Sequence, residues 1–383
     1  MNNSLPFSVN EAKPPGCRLG PERTQAALRL DEYLRTKVLE TGDRVLGRTS
    51  IYLDTCYWIR LRDAFMGRNG NDVFVKLLVK LRSAVRDGKA ICPFAADLFA
   101  EVMKQSADCR MVTANLIDEL SQGIALQPEH ERVATEILYC FWRSHGVTAL
   151  EPLSRLVWTT SSYVLGFTFP SISCLGADDE LSVQKGFTDH MWNLGFARQM
   201  AALSDWPERL NPDYASLAEK LNILNAAHSK NLRSFKQIHV VEFAGILEFY
   251  LPQIIDIWPY LHEQKHRTPA PKSKAAEFKK SGRMWMTRLQ ECFRRNKLGE
   301  QLPTLVIRSG LAAALRWNRK RRYEANDFHD FGHAAAALVH FDMFATERSL
   351  HHLITTELKY DRKYKTTVYS EPSRVLAAVA GIK

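Results

Sequence analysis

Six carboxylates carry the chemistry legible in this chain, and they fall in two widely separated segments. The first segment is Ser50-Ile51-Tyr52-Leu53-Asp54-Thr55, an apolar, β-prone run ending on an acid, with Glu101 downstream on a helix-patterned stretch. The second is Asn326-Asp327-Phe328-His329-Asp330-Phe331-Gly332-His333, which runs into four alanines and then Phe341-Asp342-Met343-Phe344-Ala345-Thr346-Glu347. Hard divalent cations such as Mg2+ and Mn2+ need several oxygen ligands, so acids delivered by different elements to one pocket suit them. The chemistry implied is metal-dependent phosphodiester hydrolysis, in which the cation acidifies water and offsets charge developing on phosphate.

Each acid has a plainer alternative role. A carboxylate that ends a buried strand costs free energy unless a cation or hydrogen bonds compensate, which marks Asp54, although Asp is also a common helix N-cap. Asp97 and Glu101 share one helix face, so either can point into a pocket or into solvent. Asp327 and Asp330 stand at a helix start, where the macrodipole favours acids, and the plain reading makes them a cap and a first-turn acid. His333, one turn on, permits proton transfer or substrate contact, while a lone helix histidine is more often structural. Asp342 and Glu347 flank a short strand, which puts Glu347, like Asp54, at a strand's carboxyl end. Thr55 and Thr346 offer hydroxyls to orient ligands or phosphate.

The elements that must position these residues alternate between short apolar strands and longer helices. Strands are expected at 50–53, 90–92, 343–345 and 366–369, and helices at 56–65, 73–85, from Pro93 through Glu101, 329–340, 349–358 and 372–380. This is the grammar of βαβ units around a parallel sheet, in which ligands sit outside the carboxyl ends of the strands. Between about 128 and 320 the texture changes to long helical patterns at 129–144, 214–228, 235–250 and 274–297, with 151–182 irregular. The expected architecture is an α/β core, residues 48–127 and 321–383, split by a mainly α-helical insertion at 128–320. Residues 1–47 form a Pro- and Gly-containing tail and a first helix.

The net charge of +10 and the pI near 9.2 favour a polyanionic partner. Positive charge is densest at Lys265–Lys297, including Lys279, Lys280 and Arg283 with Phe278, Trp285 and Phe293 interleaved, and in Arg316-Trp317-Asn318-Arg319-Lys320-Arg321-Arg322-Tyr323. Basic grooves with aromatic side chains suit RNA or single-stranded nucleic acid, although a solvated helix face has the same composition. The seven cysteines are scattered without a C-x-x-C pair, and no run approaches the length of a membrane span, so a cytoplasmic protein with no membrane partner is expected.

Together these features resemble the PIN domain, a family of metal-dependent nucleases with a parallel sheet between helices. The resemblance is carried by Leu53-Asp54-Thr55, by Glu101, by Asp330-Phe331-Gly332-His333-Ala334-Ala335-Ala336-Ala337 and by Phe344-Ala345-Thr346-Glu347-Arg348. The D-x-x-D-x-x-H spacing of Asp327, Asp330 and His333 is similar to that of a PIN-like subgroup. The last acid is Glu347 where Asp is usual, and the insertion is far larger than in compact PIN toxins. The resemblance implies that Asp54, Glu101, Asp330 and Glu347 hold Mg2+ or Mn2+, with Asp327 and Asp342 as additional ligands. It implies cleavage of RNA or single-stranded DNA, as a toxin, an antiphage-defence effector or a processing nuclease. An inhibitor or activator protein and a homo-oligomer are compatible with it. The alternative is a noncatalytic PIN-like module that binds nucleic acid or a protein. An HD-type phosphohydrolase would leave the Asp-terminated strand unexplained. The absence of a second Asp after Asp54, of a Gly-rich phosphate loop and of a G-x-S-x-G elbow removes the common phosphatase and serine-hydrolase readings.

Overall fold

The computed structural model describes residues 29–68, 72–166, 168–203, 213–228, 233–266, 268–318 and 321–382. The chain divides into two compact units. Among the described residues, one takes those within 29–128, 154–220 and 324–382, and the other those within 129–153 and 221–323. The expected N-terminal tail lies outside the described residues, and the first described helix is Leu30–Val45.

The first unit contains a parallel four-stranded sheet. Its strands are β1 (Thr49–Leu53), β2 (Ala90–Ile91), β5 (Met343–Ala345) and β6 (Thr367–Tyr369), in the order β2-β1-β5-β6. Each strand is short and apolar and is followed by a helix, so every crossover returns the chain to the same end and the strands run parallel. Two further strands, β3 (Ile124–Leu126) and β4 (Trp158–Thr160), pair antiparallel. β4 lies inside the segment expected to be irregular, and residues 154–220 belong with the sheet rather than with one continuous insertion.

Strand alternation fixes the two faces of the sheet. Ile51 and Leu53 on β1, and Met343 and Ala345 on β5, join a core with Trp58, Leu61, Phe74, Leu77, Leu81 and Val375 from flanking helices. Tyr52 and Phe344 point the other way, where the Tyr52 ring meets Phe341, Phe344 and His333. That face is covered by the Ala325–His340 helix, whose Ala334 to Ala337 are fully buried and let the helix lie close. Gly332 in this helix has a close side-chain neighbour. A Cβ there would stand 2.3–2.4 Å from the Asp97 carboxylate.

Among its described residues the second unit contains helices and no strand. Glu129–Ser144, Phe235–Phe249, Leu251–His266, Ala275–Arg294 and Pro303–Trp317 surround a core containing Phe141, Trp142, Phe243, Trp258 and Trp285. Buried polar pairs lock it. Glu129 accepts from Arg308 Nε and Tyr250 Oη, and Glu136 accepts from the Thr304 hydroxyl at 2.6 Å. Among the described residues no single helix is long and apolar enough to cross a membrane, and the described cysteines are free.

Candidate metal centre

Asp54 directly follows β1, and by strand period it projects to the same face as Tyr52. The register that pairs Leu53 with Ala345 sets Asp54 beside Thr346, whose parity matches that of Phe344. The Thr346 hydroxyl accordingly donates to Asp54 Oδ2 at 2.6 Å, and the Thr55 amide donates to Oδ1 at 2.6 Å. Asp54 is therefore both the cap of the Thr55–Phe65 helix and a buried acid facing the covering helix. Burial raises its pKa, against the lowering effect of His333 and the Thr346 hydroxyl.

Glu101 and His333 complete the centre. Glu101, on the Ala96–Met103 helix, accepts from the Thr55 hydroxyl and lies 2.7 Å from His333 Nε2. The same nitrogen is 3.7 Å from Asp54 Oδ1, and His333 Nδ1 is 2.7 Å from the Tyr52 hydroxyl. Because Nε2 faces only carboxylate oxygens, it must carry a proton. Burial alone would lower the pKa of His333, but Asp54 and the hydrogen bond to Glu101 override it and push the value up to about 9. Burial likewise works against ionisation of Glu101, and the contacts with His333 and Thr55 prevail, holding it down to about 2.

Candidate ligand atoms of Asp54, Glu101 and His333 lie within 4.8 Å of one another, the geometry of a site for a cation. The donor set fits a divalent metal: two carboxylates and an imidazole, all held from behind by Thr346, Thr55 and Tyr52. Asp330 borders this centre. It is 9% exposed and accepts from Asn326 Nδ2 at 3.1 Å. Burial, followed by the charges of Asp54 and Glu347, pushes its pKa up to about 7.

Other expected site residues stand elsewhere. Asp342 precedes β5, so it lies at the amino edge of the sheet, where its Oδ2 accepts from the amide and the hydroxyl of Ser50, each at 2.8 Å. A residue before a parallel strand and one after it occupy opposite edges, so Asp342 cannot join Asp54 in one centre. Asp327 accepts from the Glu324 amide at 2.8 Å and serves as the first-turn cap. Glu347 is exposed, stands at the start of the Arg348–His352 helix without a side-chain cap bond and accepts from Ser349, outside the compact group, although its charge reaches Asp330. Thr55 and Thr346 direct their hydroxyls at Glu101 and Asp54 rather than at a phosphate.

Of the expected nucleic-acid contacts, Lys279, Lys280 and Arg283 are exposed on the Ala275–Arg294 helix, and Arg321 and Arg322 are exposed. Arg316 is paired with Glu242 at 2.7 Å. Arg319 and Lys320 lie outside the described residues. Two groups that bear on the centre escaped the sequence reading. Tyr52 was signalled by its two-residue spacing from Asp54. Lys104, one turn from Glu101, places its Nζ 3.0 Å from His329 Nε2, a contact for which local sequence gives no signal.

Comparison with protein-family models, with curated proteins and with solved structures finds no match to this chain.

Proposed function

We propose that the sheet-bearing unit is a PIN-like, metal-dependent endonuclease that hydrolyses RNA, with single-stranded DNA as the alternative substrate. The observation that carries this reading is the convergence of Asp54, Glu101 and His333 from three elements at the carboxyl end of a parallel sheet, with Asp330 beside them. Asp54, Glu101 and His333 would hold the ion. An oxygen-only set would suit Mg2+, whereas the imidazole shifts preference toward Mn2+ or a similar transition metal. When bound there, a divalent cation supplies Lewis-acid activation of water and neutralises phosphate charge. Asp54 and Glu101 are fixed by the Thr346 and Thr55 hydroxyls, while the hydrogen bond between His333 and Glu101 would have to open to admit the ion. Asp330, buried beside Asp54, would be the group that accepts a proton from attacking water. The exposed Lys279, Lys280 and Arg283 supply attraction for a polyanion. A toxin or antiphage effector is the setting that the resemblance to PIN toxins favours.

A second reading has its own support. The His333–Glu101 pair satisfies the buried acid without a cation, as a noncatalytic PIN-like module would require. Incubation of the full chain with mixed single-stranded RNA and DNA under Mn2+, Mg2+ or EDTA separates the two. The nuclease reading expects metal-dependent cutting that falls about a hundredfold or more in Asp54→Asn and Asp330→Asn. Cutting that survives both substitutions would remove these acids from the reaction, and salt-sensitive binding without cutting under any metal would favour the noncatalytic module.

A further inference from the structure

We propose that Lys104, oriented by His329, forms a phosphate-binding subsite beside the candidate metal centre; the inference rests on the nucleic-acid reading of that centre and names how it grips the strand. Lys104 caps the C-terminus of the helix that carries Glu101, one turn from that acid. Its Nζ stands 3.0 Å from His329 Nε2, and among the described residues it forms no ion pair with a carboxylate. An ammonium group has only donors, so Nε2 accepts and the imidazole proton sits on Nδ1. That Nδ1 is buried and lacks a hydrogen-bond partner on a side chain only 5% exposed. The ring is instead held edge-on by Tyr214, with centroids 5.0 Å apart, and Tyr214 in turn stacks on Phe328 at 5.1 Å.

A buried imidazole with one nitrogen unsatisfied is costly for a purely structural role. What it achieves is to fix the ammonium of an otherwise mobile lysine on the helix that carries Glu101. Lys104 stands one turn beyond Glu101 and His329 one turn before His333, which sets the Lys104–His329 pair at the border of the acidic centre. Only one of the three ammonium protons is used by His329, leaving two for a non-bridging phosphate oxygen. An acidic centre repels a polyanionic strand, so a fixed cation at its border is what a nearby backbone phosphate requires. Lys104 is thus assigned to phosphate contact, and His329 is a positioning residue that acts through Lys104.

The test is binding rather than cleavage. A fluorescent single-stranded oligoribonucleotide is titrated onto the full chain in EDTA, where no cutting intervenes, across a series of salt concentrations. Lys104→Ala is expected to weaken binding about tenfold and to reduce the salt slope by about 0.7, while Lys104→Arg retains most affinity. His329→Leu should weaken binding similarly alone and add nothing in the Lys104→Ala background. Unchanged affinity and slope in Lys104→Ala, or additive losses in the double variant, would overturn the assignment. So would no binding by the unaltered chain. If the binding differences appear but no metal supports cutting by the unaltered chain, the subsite stands and the nuclease reading falls.

Discussion

His333 lies between Asp54 and Glu101, and its charge is set by them rather than by solvent. Its pKa near 9 and that of Asp330 near 7 both exceed their ordinary values, whereas Glu101 falls to about 2. The consequences for stability have defined signs. Between its ordinary 3.8 and about 7, folded Asp330 keeps a proton that the unfolded chain has lost, so stability falls as pH rises through that window. His333 contributes stability that is complete below 6.5 and is lost as pH climbs through about 9. Glu101 contributes above 4.5 and loses its share as pH drops toward 2. Urea unfolding in EDTA should therefore find the metal-free protein less stable at pH 8 than at pH 5.5. Asp330→Asn should recover about 2 kcal/mol of that difference, the share Asp330 carries between pH 5.5 and about 7, the remainder belonging to His333. An Asp330→Asn variant no more stable than the parent at pH 8 would contradict the placement of Asp330 against Asp54 and Glu347.

At the scale of elements, the approach of the Glu101 helix to the Ala325–His340 helix decides whether the centre assembles. Gly332 faces the Asp97 carboxylate, which occupies the space of a Cβ. Helix propensity alone predicts that Gly332→Ala gains about 1 kcal/mol, whereas the clash predicts a loss of about 1–3 kcal/mol. Urea midpoints should show the loss, and the Asp97→Ala background should relieve it because the obstructing carboxylate is gone. A stabilising Gly332→Ala would contradict the packing. Strand and helix periodicity made much of this architecture legible. The Met343–Ala345 strand and the Pro372–Ala380 and Glu129–Ser144 helices lie where apolar spacing and proline placed them. Less legible was β4, because a three-residue strand carries too little pattern to stand out among Ser and Thr. Asp342 was misplaced although its position before the strand already put it at the wrong edge. His333 was undervalued because sequence spacing cannot show that Asp54 and Glu101 meet at one imidazole.

On the scale of the whole molecule, the chain leaves the sheet-bearing unit at residue 129 and returns to it for 154–220 before the helical unit resumes. Sequence could not show this return, since the helices of both units have the same periodicity and differ only in what they pack against. The helical unit has its own core and its own buried polar locks, so it folds around aromatic packing rather than around the acids. Its exposed Lys279, Lys280 and Arg283 are part of the +10 charge that favours a polyanion, while the acids of the sheet unit are what a cation would recognise. The account therefore stands on whether those acids and His333 hold a metal. The most direct measurement is calorimetric titration of the full chain with Mn2+ at pH 7 in two buffers of different ionisation enthalpy. It should show saturable binding with release of about one proton per ion, because Nε2 of His333 must give up its proton to become a ligand. Asp54→Asn and Glu101→Gln should each weaken binding at least about tenfold. Failure of Mn2+ to bind, or binding that Asp54→Asn leaves unchanged, would contradict the metal centre.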